Sequence, residues 1–108
     1  MVVEKLGVDR SLQIEINPTL HQPRRLMMVA FLSSHRGRAT APEMKAGIGG
    51  DYNSLGAHAA VLQGAGYIEI RKEIVGLTPT TTFTLTANGR EAFRRYKATL
   101  GEIMEVAA

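Results

Sequence analysis

The sequence predicts an α+β domain, mostly helical, and three observations carry that expectation. Two short stretches between residues 40 and 66 each begin with their own helix cap and are separated by a glycine turn. Residues 67–75 alternate apolar and polar side chains, and residues 81–86 are β-branched and aromatic, as paired strands are. From Phe93 to Ala107 apolar residues return at spacings of three and four, the period of an amphipathic helix.

At 108 residues the chain is a single domain, and 44% hydrophobic against 21% charged residues is enough for a core without a bias toward disorder. Thirteen Lys and Arg against ten Asp and Glu give a net charge of +3, compatible with an anionic partner without demanding one. The lack of cysteine excludes a disulfide scaffold and thiolate chemistry and fits a reducing compartment. No apolar run approaches the roughly 20 residues of a membrane span. Glu4, Lys5, Asp9 and Arg10 interrupt the start, leaving no signal-peptide core. A cytoplasmic protein with no membrane partner is expected.

Residues 1–16 form an N-terminal arm with two open readings: Leu12, Ile14 and Ile16 alternate like a strand, whereas Val2, Val3 and Leu6 suit a helical turn. The domain proper occupies residues 17–108. Pro18 and Pro23 both suit helix openings, and the main helix is expected over residues 23–34. Its middle, from Leu26 to Leu32, is apolar all round. Such a helix needs cover on more than one side, from a second subunit or from the arm. Residues 33–38 read as a polar loop, and Ala39 with Thr40 as a very short strand.

Thr40 and Glu43 have capping-box spacing, with Pro42 in the first turn, so a helix of about two turns starts there. Gly47, Gly49 and Gly50 are expected to stop it, and Asp51 to cap the next. In that second helix Leu55, Ala59 and Leu62 form one buried stripe, matched by Met44 and Ile48 on the first. Two helices joined by a glycine-bearing turn are a helix-turn-helix, whose second helix can enter a DNA major groove. The strands that follow, joined by a turn at residues 76–80, make a hairpin, which in this position is a wing. Thr86 can cap a final helix over about residues 87–106, with Glu91, Arg94, Arg95, Lys97, Glu102 and Glu105 on its polar face. Its apolar seam either pairs with another chain or packs back onto its own domain. The expected architecture is a winged helix-turn-helix with a C-terminal dimerisation helix.

This order of elements, with the strings HQPRRLMMVAFL at residues 21–32, LGAHAAVLQGAGYIEI at 55–70 and TTTFTLTANGREAF ahead of the last apolar helix, resembles the small winged-helix regulators related to the MarR and ArsR families. Its most specific parts are the Ala-Gly-Tyr run at residues 65–67 and Leu85, Thr86, Gly89 and Arg90 at the start of the last helix. The resemblance implies a homodimer that binds double-stranded DNA, with the recognition helix at residues 51–63 and the wing at 71–81. Met28, Phe31, Phe93, Tyr96, Leu100 and Ile103 are the expected dimer contacts. Such relatives often bind a small-molecule effector. Met27, Met28, Phe31, Phe93 and Tyr96 are the side chains suited to lining its cavity, and equally suited to simple core.

The chain departs from those relatives in charge. They carry Arg or Lys in the second half of the recognition helix and at the wing tip, where this sequence has Ala60, Val61, Leu77, Thr78 and Thr80. With Leu55, Ala59 and Leu62 inward, Asn53, Ala57, Ala60 and Gly64 face out. Asn53, flanked by Tyr52 and Ser54, is the expected base-edge contact, and Ala57 suits a thymine methyl. Lys45, Arg71 and Lys72 are the expected phosphate contacts, with Thr78 and Thr80 as neutral donors. His21, His35 and His58 are scattered without metal-ligand spacing, and Asp51 reads as a cap rather than a base. With no nucleophile, base and orienting group set together, and no phosphate-binding glycine motif, no enzyme activity, metal or cofactor is expected. The alternative to DNA binding is a winged-helix interaction module whose uncharged recognition face meets another protein.

Overall fold

The computed structural model describes residues 14–107. Its order is α1 (Pro23–Ser34), β1 (Arg38–Thr40), α2 (Ala41–Ile48), α3 (Tyr52–Gly64), β2 (Ile68–Val75), β3 (Thr78–Leu85) and α4 (Ala87–Ala107). The strands form an antiparallel sheet in the order β1-β3-β2. The two readings of the arm lie almost wholly outside the described residues.

Each helix begins where the sequence supplies its caps. Gln22 accepts from the Arg25 amide ahead of α1. Thr40 and Glu43 close a reciprocal capping box on α2. The Thr40 amide, donating to the Glu43 carboxylate, and then the Thr40 side chain beside it hold that carboxyl below its ordinary pKa. Asp51 accepts from the Ser54 amide at 2.8 Å and opens α3. Gly49 and Gly50, both at positive φ, make the turn between α2 and α3. Gly47, expected as part of that stop, lies inside α2 instead. Its missing side chain makes room for Phe31, whose ring atoms would lie 2.1 Å from a Cβ at that position.

Helix α1 is the centre of the core. Met28, Val29 and Leu32 are fully buried together with Met44, Leu55, Ala59, Leu62, Ile68 and Phe83. The helix-turn-helix, the sheet and α4 all pack on it, while Met27 on its outer side stays 41% exposed. Met28, one of the expected dimer contacts, is fully buried in its own domain and presents no surface to a partner. Tyr96, the other nearly buried residue of that set, is 5% exposed, and its hydroxyl lies 2.9 Å from His21 Nδ1.

The wing is longer and tighter than expected. Val75 pairs with Thr78, leaving a loop of only Gly76 and Leu77, with Gly76 at positive φ. Pro79, read in the sequence as a turn residue, sits within β3 opposite Ile74. β1 reaches β3 only at residues 82–84, so Pro79 is on an open edge where a missing N–H breaks no ladder bond.

The two strings singled out as most specific meet in one joint. The Thr86 amide donates to Tyr67 O, its hydroxyl donates to Gly66 O, and the Gly89 amide donates to that hydroxyl. A Cβ at Gly89 would lie 2.1 Å from Tyr67 O, so the root of α4 closes only on a glycine. Further along α4, hydrogen bonds from Arg94 and then Arg95 draw the Glu91 carboxyl down to about 2. Gly89→Ala should lower stability by about 3 kcal/mol in urea unfolding; an unchanged midpoint would mean the joint carries no strain.

Candidate nucleic-acid interface

α3 presents one face to the core and one to solvent. Leu55, Ala59 and Leu62 are buried, while Asn53, Ala57, Ala60 and Gly64 are exposed, the division that the helical plot predicts. Tyr52 is half exposed at the start of the helix, and Ser54 is partly covered. Lys45 reaches from α2 over the Tyr52 ring, 5.0 Å from its centroid, joining the two helices at their exposed edge.

Between this helix pair and the wing runs an open groove of about 500 Å³, floored by Leu55, Ala59, Ile70 and Phe83. Tyr52 and Gly56 form one wall; Lys72 and the strand from Thr78 to Thr81 form the other. The groove thus brings together Tyr52, Lys72, Thr78 and Thr80 from the expected set. Asn53 and Ala57 lie on the outer face of α3 and do not line it.

Arg71 is separated from Lys72 by strand alternation. Ile68, Ile70 and Lys72 share the face toward α3, whereas Glu69, Arg71 and Glu73 share the opposite face. There Arg71 pairs with Glu69 at 3.3 Å. Glu73 takes Arg38 from across the sheet and accepts from Thr82 between them. That back face is internally neutralised, while among the described residues no carboxylate pairs with Lys72 or Lys45. The alternation was readable in the sequence; the Arg38 pairing was not, because it depends on both strands flanking β3.

Arg24, which no sequence signal singles out, supports the helix pair from behind. Its guanidinium donates to the Ile48 and Gly49 carbonyls at 3.0 and 2.6 Å, tying α1 to the turn that sets α3 on α2. Nothing in its sequence position distinguishes it from Arg25, which turns back to Thr19 O.

The five side chains considered for an effector cavity do not line one space. Met27 and Tyr96 share a cleft of about 300 Å³ with His21, Gln22, Pro23 and Leu26. Met28 is core, Phe31 packs edge-on to His35, and Phe93 lies under the Lys97 ammonium.

A capped helix pair with a glycine turn, a solvent-facing second helix and a hairpin wing beside it define a winged helix-turn-helix. The chain belongs to the winged helix DNA-binding domain family, whose model matches residues 24–104. Among solved structures it is similar to a transcriptional regulator homologue protein from Pyrococcus horikoshii OT3. The two are 22% identical, with a TM-score of 0.77 over 91% of this chain and 93% of that one. A looser similarity, with a TM-score of 0.48 and 25% identity over 92% of this chain and 88% of the other, is to an ArsR family transcriptional regulator. No curated protein matches the sequence.

Arg24→Met should leave two carbonyls at the turn without their charged donor. Amide exchange around Gly49 to Asp51 should quicken, and stability should fall by about 1–2 kcal/mol; unchanged exchange would mean the turn holds without Arg24.

Proposed function

We propose that this protein is a sequence-specific transcriptional regulator that binds double-stranded DNA as a homodimer in the cytoplasm. The observation that carries the reading is the exposed outer face of α3 beside a wing groove bearing Lys72, which pairs with no carboxylate among the described residues, in a chain of this family. α3 enters the major groove, where small Ala57 and Ala60 permit close approach and Asn53 reads a base edge. Lys72, and Lys45 from α2, meet the phosphates. Arg71, facing away and paired with Glu69, contributes less.

The homodimer is formed by the far half of α4. Leu100 is the last α4 residue packed on the core, and beyond it Ile103 and the 60%-exposed Met104 continue the seam away from the domain. Two such helices side by side bury that seam and set two recognition helices on one side of the duplex.

A second reading, a protein-interaction module, is favoured by the exposure of Val61 on α3 and of Ile74, Val75 and Leu77 on the wing. DNA binding measured across a salt series separates the two. Asn53→Ala should relax preference at one base pair by about 1–3 kcal/mol, whereas Lys72→Ala should weaken binding on all sequences and reduce the salt slope by about one. Arg71→Ala should do less than Lys72→Ala; equal losses would place the phosphate on the other face of the wing. For the dimer, Leu100→Asp puts a charge into the seam and should give monomers in sedimentation; an intact dimer would remove the seam from the interface.

A further inference from the structure

The wing tip is unusual for a surface that meets a polyanion. From Ile74 to Leu85 the chain carries no charged residue. Leu77, at the apex of the two-residue loop, is 99% exposed, and Ile74 and Val75 behind it are 69% and 53% exposed. The nearest acid, Glu73, is already engaged by Arg38 and Thr82. The tip therefore neither attracts nor repels phosphate, and its exposed surface is mainly apolar. It adjoins the recognition helix, since the strand from Thr78 to Thr81 and Tyr52 of α3 wall the same groove. A duplex seated on α3 lies against it.

We propose that the wing enters the minor groove tip first, with Leu77 as an apolar wedge against a base step. This rests on the DNA-binding reading and adds how the wing acts. A two-stranded ribbon, with strands about 5 Å apart, is close to the roughly 6 Å width of the minor groove, so entry requires the groove to open. An apolar side chain pressed between base pairs opens it by partly unstacking the step and kinking the duplex toward the major groove, in this case toward α3. Thr78 brings a hydroxyl donor to a groove floor that, at A·T pairs, presents only acceptors, while the Thr80 hydroxyl donates to Thr78 O. The wing then favours flexible, A·T-rich steps through deformability and apolar burial, where a basic tip would act through charge. A protein partner would also cover Leu77, but the shared groove wall with α3 favours DNA.

The test uses the full chain with a bound duplex carrying end-labelled dyes for energy transfer and 2-aminopurine at the step beneath the wing. The wild type should bend the duplex by roughly 20–90° and raise the 2-aminopurine fluorescence. Leu77→Ser, a change at a fully exposed position, should abolish both signals. It should lower affinity roughly tenfold by a factor independent of salt, because apolar burial releases no counterions. A straight duplex under the wild type, or equal bending by Leu77→Ser, overturns the wedge while leaving the DNA reading intact. Retention of no duplex at any salt overturns the DNA reading itself and assigns the apolar tip to a protein contact.

Discussion

The architecture depends on the burial of α1 against α3. Met28, Val29 and Leu32 on one helix and Leu55, Ala59 and Leu62 on the other are almost completely removed from water. At about 1.5–3 kcal/mol for each large side chain, this contact outweighs any surface ion pair in the molecule. It also fixes the rotation of α3 about its axis, because a helix with one buried stripe has only one face left to present. The small residues Asn53, Ala57 and Ala60 face outward as the complement of that burial.

Everything else holds this face in place. Arg24 ties α1 to the turn before α3. The joint of Gly66, Tyr67, Thr86 and Gly89 ties the strand after α3 to the root of α4. α3 is thus pinned at both ends, to α1 through the turn and to the root of α4 through the strand that follows it. Long-range steering by charge is modest here: the cations of the sheet's back face are paired with Glu69 and Glu73, and Arg94 and Arg95 of α4 with Glu91. On the proposed function, specificity would come from shape, from Asn53 and from the wing.

The fold was largely legible because its signals are local. The opening at Pro23, the caps at Thr40, Asp51 and Thr86 and the stripe of α3 are each contained within a few residues of sequence. What could not be read depends on contacts between distant segments. Gly47 looked like a stop, since nothing nearby shows that Phe31 lies beneath it. Pro79 looked like a turn, since its tolerance in β3 depends on where β1 ends. Met28 and Tyr96 looked available for a partner, since an apolar run does not say how many of its sides its own domain covers. Arg71 and Lys72 were grouped by charge, although strand alternation already puts them on opposite faces.

The central claim is that α3 and the wing together read a DNA sequence, and selection from a random duplex library at low and near-physiological salt tests it most directly. The account predicts a palindromic motif with half-sites about one helical turn apart, recovered at both salt concentrations. Weak retention with no motif, vanishing as salt is raised, would contradict it and leave only a mildly basic surface.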